Sequence, residues 1–241
     1  MAGITMEFPI SASRDWRTAL SALGKLLRDE SDTAQVFRIM RALNVNAAQK
    51  GYERLLRTSQ GGRIAYEGIE LAQKLSDPAY VASFAPGSVG AAYREFLGRT
   101  GFSADGLAMV SRVTDELDQP HPHAWYGRRL RDTHDVWHTL TGYRADDPLG
   151  EACLVGFSYG QGGGLGWALI AVGSAFKALR QPRGWRAVRA IWEGYRLGRR
   201  AAWLPGEDYE RLFDEPLATA RRRLRIGRPE RYWQVDATLA R

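Results

Sequence analysis

Apolar residues recur along this chain at intervals of three and four, and sustained alternation is absent. Trp16, Leu20, Leu23 and Leu27 predict an amphipathic helix over 13–28, and Val36, Phe37, Met40 and Leu43 a second over 33–43. Tyr52, Leu55 and Leu56 mark a third, closed by Gly61 and Gly62, while Tyr66, Ile69 and Leu75 predict a fourth over 63–75. Asp77-Pro78 starts a short helix, Pro86-Gly87 breaks the chain, and Ser88 caps a helix containing Tyr93 and Phe96. Leu107 to Leu117 is a further helical stretch. The alternating Val, Ile and Thr runs from which strands are built do not occur. The expected architecture is all-α, with residues 1–241 forming a single multi-helix domain.

In the second half, His121-Pro122-His123 reads as a turn with solvated imidazoles, and a long helix begins near Ala124. Ala152 to Phe176 carries no charge, a span of membrane length. The segment GQGGG at 160–164 interrupts it, with polar Ser158 and Gln161 nearby, so two buried helices broken at the glycines are expected instead of a membrane span. Gly164, Gly166, Ala168 and Ala171 admit close helix approach or leave room for an apolar chain. On the second reading Phe157, Tyr159 and Trp167 border an elongated apolar groove; on the first they are core. Residues 182–201 predict a helix with Arg186, Arg189, Arg196 and Arg200 on one face and Trp185, Val188, Ile191, Trp192 and Tyr195 on the other. That combination suits an anionic membrane surface, and equally a solvated face. Two short helices follow, over Tyr209–Phe213 and Pro216–Leu224, and the tail 227–241 is expected to be loosely held.

Composition changes this picture in two respects. The net charge of +7 suits an anionic partner such as a membrane surface, a phosphorylated ligand or a nucleic acid, although no nucleic-acid-binding module is recognisable. The single cysteine, Cys153, excludes an intramolecular disulfide, fits a reducing compartment, and reads as a small buried apolar group. The N-terminus has neither a secretory signal pattern nor an Arg-rich amphipathic transit pattern, so a bacterial cytoplasmic protein is expected.

The chemistry concentrates in RDTHDVWHTLTGYRADDPLGE, residues 131–151. His134 and His138 stand one helical turn apart, and Asp135 adjoins the first within an arc of about 100°. Gly142 suits the helix end, Asp147 the next N-cap and Pro148 the first helical position, which puts Glu151 in the first turn of the following helix. Two imidazoles and two carboxylates on an αα-hairpin make a divalent-metal site. Two buried, hydrogen-bonded imidazoles would show the same spacing. The metal reading is preferred because only four histidines occur in the chain, two of them here, and because Glu151 arrives on the adjoining helix. The donor set points first to Zn, with Mn, Fe and Mg as the other divalent candidates. A helical His-Asp phosphohydrolase would need further His and Asp ligands that the chain does not supply.

With these residues in place the chain resembles the fourth member of the coenzyme Q (ubiquinone) biosynthesis Coq protein set. The family signature, His-Asp-x-x-His followed by a glutamate, is matched by His134, Asp135, His138 and Glu151. APGSVGAAYREFL at 85–97 and GYRLGRRAAWLPGEDYERLFDEPLATARRRLRI at 194–226 also resemble family segments, so the likeness spans 85–226. The family usually has eleven residues between the second histidine and the glutamate; here there are twelve, and the Arg144–Asp147 turn is expected to absorb the extra one. The resemblance implies a peripheral membrane protein on the cytoplasmic face of the bacterial inner membrane, binding a divalent metal and an isoprenoid tail. It further implies removal of the C1 ring carboxylate of a polyprenylated 4-hydroxybenzoate-type precursor with hydroxylation there, and organisation of other ubiquinone-biosynthesis enzymes, as a homodimer. On this reading Asp135 is a ligand or a general base, and Arg131 pairs with an anionic head group. The alternative is a non-catalytic lipid-binding scaffold with a structural metal.

Overall fold

A computed structural model describes residues 13–103 and 121–239. The helices predicted by periodicity form where their caps are placed. Helix α1, Trp16–Leu26, is capped by Asp15, whose carboxylate accepts from the Thr18 N–H at 2.9 Å. Helix α2, Thr33–Leu43, packs against it through Ala19, Ala22, Ile39 and Leu43, which share one buried cluster. Helices α3 (Ala47–Leu56) and α4 (Gly61–Glu67) follow. The single helix expected over 63–75 is two: Gly68, at φ 55°, ends α4 in the left-handed conformation, and α5 (Leu71–Leu75) restarts after it. Tyr66 consequently faces solvent, not the core. Helix α6, Pro78–Ala82, has Asp77 as cap, and α7, Val89–Thr100, has Ser88, as expected. The stretch 107–117 lies outside the described residues.

The long helix expected from Ala124 is divided. Helix α8 (Pro122–Asp132) and helix α9 (His134–Thr141) meet at Thr133, which closes one and opens the other. The uncharged run forms α10 (Pro148–Gly162) and α11 (Leu165–Leu179), separated by Gly163 and Gly164 at φ 67° and 96°. No helix among the described residues is long and apolar enough to cross a membrane. Helix α12 spans Trp185–Arg200, and α13 (Tyr209–Leu212) and α14 (Leu217–Arg223) are the two short helices expected. The tail differs from expectation: α15, Glu230–Leu239, is a helix anchored by Tyr232, which is fully buried edge-on against Tyr143. Glu193 also accepts from the Arg231 N–H at 2.8 Å, satisfying a donor of its first turn. Among the described residues there is no strand, only an isolated bridge between Ser88 and Pro216.

Helices α10 and α12 form the closest pair, and glycines permit it. A Cβ on Gly156 or Gly160 would lie 2.6 Å from the Ile191 or Tyr195 carbonyl oxygen, and one on Gly194 or Gly198 would lie 2.4 or 2.2 Å from that of Cys153 or Phe157. This seam admits no large side chain, so Trp185 and Trp192 are displaced outward beside the arginines, with Arg189 stacked 5.4 Å from the Trp185 ring. Gly194→Ala is expected to destabilise the protein by about 1–3 kcal/mol, read from urea unfolding midpoints, because rigid backbone leaves the methyl nowhere to go. An unchanged midpoint would contradict that packing. Cys153, fully buried in the same layer with its thiol pKa pushed well up by burial, is the inert apolar group expected.

Candidate metal centre

The turn between α9 and α10 is built as its residues dictate. Gly142, at φ 81°, ends α9, and its N–H reaches back to the His138 carbonyl at 2.8 Å. Arg221 on α14 donates to the Thr139 and Leu140 carbonyls at 3.1 and 2.8 Å, placing a cation at the negative end of the helix. Asp147 caps α10 by accepting from the Leu149 and Gly150 N–H groups, and Pro148 takes the first helical position. The longer turn is absorbed: Gly150 packs against the Arg144 backbone, and Glu151 faces back toward α9.

His134, His138 and Glu151 converge, each offering a donor atom within 4.8 Å of the others. Glu151 Oε1 lies 3.1 Å from His138 Nε2, and Glu151 Oε2 lies 3.8 Å from His134 Nε2. Tetrahedral ligation with bonds of about 2.1 Å spaces ligand atoms about 3.4 Å apart, so these separations suit one small divalent ion.

The proton positions support the same fit. His138 Nδ1 stands 3.0 Å from the Tyr143 carbonyl oxygen, which only accepts; Nδ1 therefore carries the proton. That leaves Nε2 facing the site, and it is buried with no hydrogen bond. Two electron-rich atoms, this nitrogen and the Glu151 oxygen, face one another and call for a cation or a proton between them. His138 is further fixed by the Phe96 ring stacked at 5.9 Å, inclined by 16°. Burial opposes ionisation of Glu151, but its electrostatic interactions with the facing His138 and His134 imidazoles outweigh it and hold its carboxyl below the ordinary value. Burial likewise opposes charge on His134, and its hydrogen bond to Asp135 with the neighbouring carboxylate charges raises its pKa.

Asp135 does not join the cluster. It is buried, and its Oδ1 lies 3.3 Å from His134 Nδ1, the ring nitrogen opposite the one facing Glu151. One residue along a helix is a rotation of about 100°, which carries the carboxylate behind the ring. There it orients His134 as an outer carboxylate orients a metal-bound imidazole. On a tetrahedral ion these three donors would leave a fourth position free, and Glu151, 41% exposed at its side chain, marks the side open to solvent.

The other expected site residues are dispersed. Arg131 donates to Asp132 at 2.7 Å in a buried pair. Phe157 is fully buried edge-on to Trp137, while Tyr159 stacks on Tyr195 at 5.4 Å. Trp167 packs against the separate α1–α2–α11 cluster. Each of these aromatics has a different partner, and on α11 Gly166 sits close against Met40 and Asn44. His121 and His123 pack together with Tyr52 at the start of α8. The Tyr143 carbonyl, Phe96 and Arg221 were not legible as parts of the site; the first is backbone, and the others arrive from distant helices.

A family model described as "Coenzyme Q (ubiquinone) biosynthesis protein Coq4" matches residues 7–230. Among curated proteins, the mitochondrial ubiquinone biosynthesis protein COQ4 of Yarrowia lipolytica is 28% identical over 196 residues, covering 78% of this chain and 70% of its own. The homologue from Nematostella vectensis is 29% identical over 150 residues, covering 60% and 68%. That of Rattus norvegicus is 26% identical over 187 residues, covering 76% and 66%. A crystal structure of a candidate ubiquinone biosynthesis protein from Nostoc punctiforme superposes with a TM-score of 0.63 over 89% of this chain and 100% of that one. At 20% identity that likeness concerns the fold.

Proposed function

This chain belongs to the coenzyme Q (ubiquinone) biosynthesis Coq4 family, and we propose that it serves ubiquinone synthesis through a divalent cation held by His134, His138 and Glu151. The observation that carries this reading is the buried His138 Nε2, without a hydrogen bond and 3.1 Å from a carboxylate oxygen. Zn is the first candidate, ahead of Mn, Fe and Mg, for two imidazoles and one carboxylate.

The reaction proposed is loss of the C1 carboxylate of a polyprenylated 4-hydroxybenzoate-type ring as carbon dioxide, with hydroxylation at the same carbon. This is a two-electron oxidation and needs an external oxidant. When bound, the cation supplies charge that holds and polarises the ring carboxylate. Asp135 keeps His134 turned toward the site, Tyr143 does the same for His138, and Glu151 closes the donor set from α10. Asp135 acts here as a positioning residue, and Arg131 steadies the start of α9 through its ion pair with Asp132.

The prenyl tail and the membrane are assigned to the outer face. Val172, Phe176 and Leu179 of α11 are more than half exposed, as is Trp192, with Trp185 at 50% beside Arg186 and Arg189. Apolar groups rimmed by arginines suit an anionic bilayer surface. The proposed location is the cytoplasmic face of the bacterial inner membrane, as a homodimer beside the other ubiquinone-biosynthesis enzymes. The same exposed face supports the second reading, a lipid-binding scaffold whose metal is structural. Purified protein loaded with each candidate metal, given a prenylated, carboxylated ring under air, separates the two. Carboxyl loss that depends on His134 and His138 favours the enzyme. Absent turnover with every metal, alongside intact capture of partner enzymes, favours the scaffold.

A further inference from the structure

The α1–α2 hairpin carries a second polar concavity, remote in sequence from the metal centre. It has a volume of about 220 Å³ and is lined by Arg17, Thr18, Ser21, Lys25, Gln35 and Arg38, with Ala22 as its apolar floor. The sequence builds it by helical spacing. Arg17, Ser21 and Lys25 stand at successive four-residue steps on one face of α1, and Gln35 and Arg38 at a three-residue step on α2. Three cationic side chains therefore line one pocket with no acidic residue among them.

Arg63, Arg128, Arg129, Arg144 and Arg223 are all ion-paired. Among the described residues, Arg17, Lys25 and Arg38 form no ion pair; Arg38 makes only a long contact of 3.5 Å to the Gln35 side-chain oxygen. The carboxylates at the starts of these helices flank the pocket and accept hydrogen bonds from two of its lining residues, Thr18 and Gln35. Asp15 caps α1 through Thr18, and Asp32 accepts from the Gln35 amide at 2.8 Å. Gln35 is buried, so that second contact fixes the wall from which Arg38 projects.

We propose that this pocket binds a phosphate group. Two guanidinium forks match phosphate oxygens bidentately, a lysine adds a mobile point charge, and the Ser21 hydroxyl adds a donor. Three positive charges suit a multiply charged anion better than a single carboxylate. Trp16 and Leu20, exposed on the same helix, are available to an apolar tail if the phosphate belongs to a lipid. The proposal is independent of the metal centre.

Calorimetric titration of the full chain with inorganic pyrophosphate, and co-sedimentation with phosphatidylcholine vesicles with or without phosphatidic acid, test it and distinguish the two sources. The test variant is Arg17→Gln/Arg38→Gln, both exposed positions, so the fold is expected to persist. The control, Arg57→Gln/Arg222→Gln, removes the same charge elsewhere. The expected result is binding of pyrophosphate, of phosphatidic acid vesicles, or of both, weakened at least about tenfold in the test variant and by less than about twofold in the control. Pyrophosphate binding identifies a soluble phosphate ligand, and vesicle binding alone identifies a lipid head group. Binding of neither, equal losses in both variants, or pyrophosphate binding that survives in the test variant would overturn the proposal.

Discussion

His138→Ala is expected to abolish metal retention and to cost about 2–4 kcal/mol of stability besides. His138 is 1% exposed, stacks on Phe96, and donates to the Tyr143 carbonyl. Alanine therefore leaves a cavity and an unpaired buried carbonyl together. The metal loss has a separate cause. Two remaining donors, His134 and Glu151, hold a divalent ion far less tightly than three. His134→Ala separates the two effects, because His134 is 23% exposed at its side chain and its removal perturbs the core less. Elemental analysis of the folded fraction should find both variants depleted of metal, with His138→Ala alone strongly destabilised in urea. Metal content equal to that of the unaltered chain in both variants would contradict the assignment of the site.

The second large effect is expected from Glu151→Gln, and it separates function from folding in the opposite sense. A glutamine at this position can turn an N–H toward His138 Nε2, which has no hydrogen bond in the structure. The variant protein without metal should therefore be as stable as the unaltered chain, or more stable by about 1 kcal/mol. It should nevertheless bind metal poorly, since a neutral amide is a weak ligand for a divalent cation. Cells relying on this variant for ubiquinone should make little or none while accumulating normal amounts of folded protein. Normal ubiquinone levels in such cells would show that the Glu151 carboxylate is dispensable.

What the sequence discloses of this molecule is mainly what is local. Gly142, Asp147 and Pro148 specify a helix end, a cap and a helix start through their own backbone and side-chain chemistry, so the approach of Glu151 to the histidines could be read directly. The placement of Asp135 could not, because adjacency in sequence is divergence on a helix. The outward position of Trp185 and Trp192 depends on the glycine seam between α10 and α12, a contact between segments about forty residues apart. The ordered tail depends likewise on Tyr232 meeting Tyr143 and on Glu193 receiving the Arg231 N–H. Thr133 divides α8 from α9 without a glycine or proline to announce it; the contacts of Arg131 with Asp132 and of Asp132 with the Ala72 N–H of α5 hold that junction.

A bound cation would also account for an arrangement that the fold alone would not favour. Burying a histidine nitrogen without a partner costs stability, and burying it beside a carboxylate costs more unless a cation or proton lies between them. A metal ion satisfies both groups while displacing that proton, so metal uptake should release protons. Asp135 and Tyr143 then act from behind, keeping both ring faces turned inward whether or not the ion is present.

The most direct test of this account is a crystal structure of the protein purified without chelator, with anomalous data collected above and below the absorption edge of each candidate metal. The account predicts one anomalous peak per chain, about 2.0–2.2 Å from His134 Nε2, His138 Nε2 and a Glu151 oxygen, with the fourth position taken by water or a ligand. A site in which His138 Nε2 instead donates to Glu151, with no anomalous peak and no bound metal by elemental analysis after supplementation with Zn, Mn and Fe, would contradict it.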